Sequence, residues 1–141
     1  MKQTQTRTWT EIDLSNLEHN YRALRAMLPQ GCRFLGVVKA DAYGHGAVQV
    51  ARRLETLGAE YLAVACLDEA LELRQARITT PILILGYTPT ERAEALLDNG
   101  ITQTVYDVEM ARALSDAAAA AGKTLKIHVK AGTGMSRLGW L

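Results

Sequence analysis

Five short apolar runs, separated by longer stretches of helical period, place the strongest constraint on how this 141-residue chain can fold. The runs are rich in β-branched residues and occupy residues 33–39, 61–66, 81–86, 101–106 and 124–130. Apolar runs of this length indicate strands, and strands that alternate with helices pair as a parallel sheet covered by crossover helices. The pattern therefore predicts an α/β fold.

Helix starts carry their own signals between these runs. Ser15 followed by Glu18, and Thr88 followed by Glu91, each have the spacing of a capping box, in which the two side chains bond the first free backbone N–H groups. Asp107 is predicted to cap the alanine-rich helix that follows it. Three of the helices therefore have a predicted start.

Two architectures fit these units, an open doubly wound sheet and part of a (β/α)8 barrel. Hydrophobic periodicity does not separate them. A complete barrel needs about 250 residues, and this chain stops just after its fifth predicted strand, so a barrel here is expected to be partial. Because no low-complexity linker interrupts the chain, we predict one domain over residues 1–141.

Charge and composition narrow the class of partner. The 16 basic and 15 acidic residues nearly cancel and form no long block, which argues against a nucleic-acid or polybasic membrane surface. No stretch approaches the roughly 18 apolar residues of a membrane span, and no secretory leader opens the chain. Cys32 and Cys66 are far apart and are expected to be reduced packing residues. We therefore expect a soluble, cytoplasmic protein with small-molecule and protein partners.

The segment "VVKADAYGHG" ends the first apolar run on Lys39. A lysine at a sheet edge can simply send its ammonium to water. Alternatively, the apolar residues around Lys39 favour the neutral amine, a nucleophile that can form a Schiff base with an aldehyde. Tyr43 lies on the following turn, where Gly44 and Gly46 allow unusual backbone angles, so its phenol could donate to a phosphate near the lysine. Both architectures place chemistry at this end of a strand.

Two further polar residues of this segment are predicted to serve the turn itself. His45 has no second histidine at ligand spacing, and Asp41 has no paired carboxylate. We therefore predict that His45 is a turn residue and not a metal ligand, and that Asp41 bonds the turn backbone and does not act as an acid.

The segment "KAGTGMSRLG" combines two cations near the C-terminus. Lys130 ends the last apolar run, and Arg137 follows a glycine-rich loop, so both could return to the same face of the sheet. A guanidinium suits bidentate recognition of a carboxylate or contact with a phenolic oxygen, although an ordinary surface arginine would also fit. Because neighbouring cations repel, one of them would need neutralising, and a carbamate on Lys130 would do so.

These two segments resemble alanine racemase, a family that uses pyridoxal 5'-phosphate (PLP) and joins a (β/α)8 barrel to a C-terminal β-domain. The opening "TWTEIDLSNLEHNYRALR" is also similar to the N-terminal barrel region of that family. The resemblance implies that residues 1–141 form about five βα units of a partial (β/α)8 TIM-type barrel, without its last strands and without the C-terminal β-domain.

The resemblance also implies roles for individual residues. Lys39 would hold PLP as an internal aldimine and act as one of the catalytic bases, and Tyr43 would bond the PLP phosphate. Arg137 would bond the phenolic oxygen of PLP and help place the substrate carboxylate. Lys130 matches a lysine that is carbamylated in many members, but Gly132 stands where the family commonly has an aspartate.

The implied function is interconversion of L- and D-alanine, a peptidoglycan precursor, by a cytoplasmic dimer. The family's second base, a tyrosine of the C-terminal β-domain supplied by the other subunit, has no match before Leu141. The chain alone is therefore expected to be inactive and to need a complementing C-terminal fragment or self-association. A non-catalytic PLP-binding module and a cofactor-free interaction fragment remain as alternatives.

Overall fold

A five-stranded parallel sheet forms the centre of the computed structural model, which describes residues 8–140. The strands, in chain order, are β1 (Leu35–Val37), β2 (Tyr61–Val64), β3 (Ile82–Ile84), β4 (Ile101–Val105) and β5 (Ile127–Val129). They pair in the order β1-β2-β3-β4-β5. Each strand lies within one of the predicted apolar runs, so the predicted α/β class is confirmed.

One helix precedes β1, and the others fill the connections between the strands. The helices are α1 (Leu14–Ala26), α2 (Lys39–Gly44), α3 (Ala47–Thr56), α4 (Leu67–Gln75), α5 (Ala93–Asp98) and α6 (Val108–Ala120), with a 3₁₀ turn at Thr90–Arg92 before α5. Between residues 8 and 140, no helix combines the length and apolar composition needed to cross a lipid bilayer.

The strand order distinguishes the two candidate architectures. A doubly wound sheet reverses its strand order at a switch point, whereas a barrel adds each new strand to the same side of the previous one. Right-handed crossovers then place every connecting helix on one face of the sheet. The sequential order of this sheet is therefore that of a barrel segment.

The main core lies between the sheet and these helices. Its fully buried side chains alternate along the strands and meet leucines of the helices, and they include Leu62, Val64, Ile82, Ile84, Ile101, Val105, Leu73, Leu96 and Leu114. The two outer strands are less covered. Val37 of β1 is 48% exposed, and Ile127 and Val129 of β5 are 44% and 67% exposed. Both outer strands therefore present free apolar edges in the described part of the chain.

The predicted capping box at Ser15 is wrong. Helix α1 begins instead after Asp13, whose Oδ1 accepts hydrogen bonds from the backbone N–H groups of Ser15 (2.7 Å) and Asn16 (3.3 Å). The side chain of Glu18 accepts a bond from Arg53 at 3.1 Å. A carboxylate two residues earlier thus caps the helix in place of the hydroxyl.

The predicted capping box of Thr88 and Glu91 is also wrong. Thr88 is buried, and its hydroxyl donates to Oε1 of Gln103 on β4 at 2.6 Å. The tertiary partner takes the hydroxyl that a cap would need. The prediction for Asp107 is confirmed, since its carboxylate accepts a bond from the N–H of Met110 at 2.7 Å.

The two cysteines are free, as predicted, but they are not packing residues. Both Cys32 and Cys66 are exposed. Each lies in a connection outside the core, Cys32 in the loop before β1 and Cys66 between β2 and α4. Loop positions are solvent-facing, so the apolar character of a thiol did not lead to burial here.

Glu55, at the end of α3, links that helix to the loop before β3. Its Oε1 accepts hydrogen bonds from the backbone N–H and the hydroxyl of both Thr79 and Thr80, at 2.7–3.0 Å. Burial raises the pKa of Glu55, but the four hydrogen bonds together outweigh it, so the pKa lies below its ordinary value of 4.5. The contribution of this carboxylate to the free energy of unfolding is therefore complete above pH 4.5. It is lost as the pH falls through the lowered pKa of Glu55 in the folded state.

A Glu55→Gln variant is expected to lower the free energy of unfolding at neutral pH by about 1 kcal/mol, because bonds to a charged acceptor are stronger than bonds to an amide. Urea denaturation at neutral pH and at about pH 3 measures the difference from the wild type, which should shrink in acid. Glu72→Gln, at an exposed position of α4, is the control. A difference for Glu55→Gln that is equal at both pH values would contradict this role.

Candidate functional site

The C-terminal ends of the five strands lie together at one end of the sheet because all the strands are parallel. Four polar or reactive residues follow strands at this end: Lys39 after β1, Cys66 after β2, Tyr106 after β4 and Lys130 after β5. The pKa of Tyr106 is raised above its ordinary value, chiefly by burial and to a smaller extent by the neighbouring Asp107 and Tyr87. Among residues 8–140, no three His, Cys, Asp or Glu side chains cluster as metal ligands would.

Helix α2, directly after β1, is a left-handed turn. Four consecutive residues, Ala40 to Tyr43, have φ of 50–54° and ψ of 39–49°. This conformation costs about 1–2 kcal/mol for each residue that carries a Cβ. Gly44 and Gly46 also have positive φ, as predicted, but the four left-handed residues before them were not anticipated. Such strain persists only where the surrounding structure holds it, and it concentrates at functional sites.

Three side chains, those of Glu69, Asp41 and His45, make hydrogen bonds with the backbone of this turn or next to it. The N–H of Ala40 donates to Oε1 of Glu69 on α4 at 2.8 Å. The Asp41 carboxylate accepts a bond from the N–H of Ala47 at 2.6 Å. His45 places its Nδ1 2.9 Å from the carbonyl oxygen of Ala42. The predicted turn roles of Asp41 and His45 are thus consistent with their contacts, whereas sequence analysis missed Glu69.

Lys39 and Tyr43 lie close together on this turn. Lys39 is half-buried, with the fully buried Val38 directly before it, and its Nζ lies 6.0 Å from the centre of the Tyr43 ring. The Tyr43 side chain is 68% exposed. Within residues 8–140 the Lys39 amine forms no ion pair. A lysine amine and a phenol hydroxyl are therefore both available to a ligand at the end of β1.

The segment that carries Arg137 folds back onto the end of β5. The N–H of Trp140 donates to the carbonyl oxygen of Lys130 at 2.8 Å, and the N–H of Gly132 donates to the carbonyl oxygen of Trp140 at 2.6 Å. The two ends of the loop therefore meet beside Lys130, and Arg137 is exposed on the loop between them. The loop contains no acidic residue, so it presents positive charge to solvent.

The site residues form two groups rather than one. Lys39 and Tyr43 follow β1, and Lys130 and Arg137 follow β5, with three strands between. In a flat sheet four strand spacings would separate them by about 19 Å, and the curvature of a barrel shortens that distance. No hydrogen bond or ion pair joins the two groups in the described residues.

The comparison with protein families identifies the family of this chain. The sequence profile of the family described as "Alanine racemase, N-terminal domain" matches residues 12–141. The chain belongs to the alanine racemase family. The alanine racemase of Desulfovibrio desulfuricans is 53% identical over 131 residues, which cover 93% of this chain and 35% of that relative.

Solved structures show the same relation to alanine racemases. The alanine racemase of Clostridium difficile matches with a TM-score of 0.94 and 46% identity, over 99% of this chain and 37% of that one. A histidine racemase from Leuconostoc mesenteroides matches with a TM-score of 0.82 and 31% identity, over 90% of this chain and 34% of that one. The chain thus spans about a third of the length of these relatives, and its sheet is the first part of a TIM-type alanine racemase barrel.

Proposed function

We propose that residues 1–141 are the lysine-bearing portion of a PLP-dependent racemase that interconverts L- and D-alanine, and that this portion is inactive alone. The observation that carries the proposal is the Lys39 amine, free of any ion pair in the described residues, at the end of β1 beside Tyr43. Relatives named alanine racemase support the choice of alanine.

The donor chemistry of the site fits PLP. The amine of Lys39 can bind an aldehyde covalently, and the Tyr43 hydroxyl can donate to a phosphate oxygen. The Arg137 guanidinium would bond the phenolic oxygen of PLP and the substrate carboxylate. Lys130 would support Arg137. A carbamate on Lys130 would compensate the positive charge of Arg137, because this loop has Gly132 where the family commonly has an aspartate.

The chain's own contribution to the reaction is a base on one face of the substrate. When bound, PLP supplies an electron-withdrawing ring that makes the Cα proton of an amino acid removable. Lys39 would remove or return this proton at Cα, and Arg137 would hold the substrate carboxylate. Racemisation needs a second base on the opposite face, which we assign to the rest of a longer protein.

The two outer strands of the sheet support the proposal of a longer protein, because both leave apolar side chains uncovered. An open cavity of about 540 Å³ lies along β1 and is lined by apolar side chains that include Tyr21, Phe34, Leu35 and Leu54. Ile127 and Val129 are exposed on β5 at the other edge. We propose that further barrel strands cover both edges, and that the completed enzyme is a dimer. The free cysteines support a reducing compartment, for which we propose the cytoplasm.

A chimera tests this function. Residues 1–141 would replace the matching 37% of the Clostridium difficile racemase, and conversion of L-alanine to D-alanine would be measured with PLP. We expect the chimera to racemise alanine at least about 100-fold faster than residues 1–141 alone, because one acid–base group contributes 10²–10⁴-fold. The parent enzyme is the control, and L-histidine is the competing substrate. A folded chimera that binds PLP without racemising alanine would contradict the proposal.

A further inference from the structure

We propose that Glu69 is a positioning residue for Lys39, because its carboxylate ties the residue after Lys39 to the end of the neighbouring strand. The inference rests on the proposed role of Lys39 as the PLP-binding lysine. Glu69 lies on α4 and is half-buried. Its Oε1 accepts a hydrogen bond from the N–H of Ala40 at 2.8 Å, and its Oε2 accepts one from the N–H of Ala65 at 2.7 Å. Each oxygen thus serves a different strand end.

The carboxylate stands where the β1–β2 ladder stops. The last bond of that ladder runs from the N–H of Val38 to the carbonyl oxygen of Ala63, at 2.8 Å. In a continued parallel ladder, Ala65 would donate to the carbonyl oxygen of Val38. Instead Ala65 donates to Glu69, and the Val38 carbonyl accepts a bond from Ala42 inside the left-handed turn at 2.9 Å. Glu69 therefore substitutes for a strand partner and releases the carbonyl that the turn uses.

Helix capping explains only half of this arrangement. Glu69 is the third residue of α4, a position from which an acid often reaches back to the start of its own helix. The bond to Ala65 is the equivalent contact one residue further back, since Cys66 is the N-cap. Helix capping does not account for the bond to Ala40, which lies 29 residues earlier. The neighbouring Asp68 is exposed and pairs with Arg92.

The position of Lys39 depends on this bond because Ala40 is the first residue of the left-handed turn. Left-handed backbone is costly, so an unsupported turn would relax. Relaxation would move the Lys39 amine relative to Tyr43, which now lies 6.0 Å from it. A charged carboxylate with two acceptor oxygens can hold both amides, whereas a glutamine has only one oxygen acceptor.

The test compares Glu69→Gln with Glu72→Gln, an exposed position on the same helix. Amide hydrogen exchange at Ala40 and Ala65 is followed in the ¹⁵N-labelled chain. Each variant is then treated with PLP and borohydride, and the label on Lys39 is measured relative to the exposed Lys126. For Glu69→Gln we expect exchange to rise about 10-fold or more at one of the two amides, and the Lys39 to Lys126 labelling ratio to fall about 5-fold or more. Glu72→Gln should change neither.

A second variant separates charge from reach. Glu69→Asp keeps the charge on a side chain shorter by one methylene, so it cannot bridge both amides and should behave like Glu69→Gln. Exchange at the buried Ile84 amide reports the unfolded fraction in every sample. A labelling ratio that falls only in proportion to that fraction would show a merely structural role and overturn the proposal.

The two proposals fail in different ways. If the Ala40 and Ala65 amides of the wild-type chain are protected from exchange but Lys39 takes no label, the PLP role of Lys39 is contradicted and the Glu69 contact stands. If Lys39 is labelled equally in the wild type and in Glu69→Gln, although the amides exchange faster in the variant, only the positioning role is contradicted.

Discussion

A Lys39→Ala variant is expected to lose the absorbance at about 420 nm that we expect the wild-type chain to develop with PLP and borohydride to remove. The physical reason is that only an amine can bind the aldehyde covalently, and the Lys39 amine is half-buried beside the Tyr43 phenol. The expected loss is at least about 10-fold, because a freely solvated lysine binds PLP without the support of a formed site.

Lys130→Ala and Lys126→Ala are the controls for this measurement. Lys130 also lies at the C-terminal edge of the sheet, after β5, whereas Lys126 precedes that strand and is exposed. Lys126→Ala should keep the absorbance, and so should Lys130→Ala, because the Lys130 amine is proposed to support Arg137 and not to bind the aldehyde. If Lys39→Ala keeps it and Lys130→Ala loses it, the covalent lysine lies at the β5 end of the site and the assignment of Lys39 is wrong.

An Ile84→Ala variant is expected to lower the free energy of unfolding by about 2–5 kcal/mol, the range for a buried isoleucine whose removal leaves a cavity. Ile84 lies on the central strand β3, is 0% exposed and belongs to the main core. Domains of this size are stable by only about 5–15 kcal/mol, so the loss is a large share of the total.

Ile127→Ala is the matched control because the same residue type is 44% exposed on the outer strand β5. Its expected cost is below about 1 kcal/mol in the chain alone. Urea denaturation followed by circular dichroism measures both variants. Equal losses at the two positions would mean that β5 packs as tightly as β3, contrary to the exposure of its side chains.

The strands could be predicted from the sequence because hydrophobic periodicity is a local property. Each predicted run contains one observed strand, from β1 in residues 33–39 to β5 in residues 124–130. The choice between a doubly wound sheet and a barrel could not be predicted in this way. It depends on which strands lie side by side, and periodicity carries no information about that.

Helix caps show where local reasoning fails. The Asp107 cap was predicted correctly because its acceptor and its target, Met110, lie within one turn of the chain. The Thr88 cap was not, because a partner 15 residues away, Gln103, takes the hydroxyl. A side chain that can bond locally or across the fold follows the better-placed partner, and only the tertiary structure shows which partner that is.

The sequence by itself determined the α/β class, the five strand positions and the candidate pair Lys39 and Tyr43, because those features depend on residues a few positions apart. The resemblance to the alanine racemase family, which the sequence carries, also implied the partial barrel that the strand order confirms. The tertiary structure alone decided the left-handed turn after β1 and the contact of Glu69 with Ala40. Left-handed backbone at non-glycine residues runs against local preference. It forms here because Glu69, which is 29 residues away in the sequence, adds a hydrogen bond to those made within the turn itself.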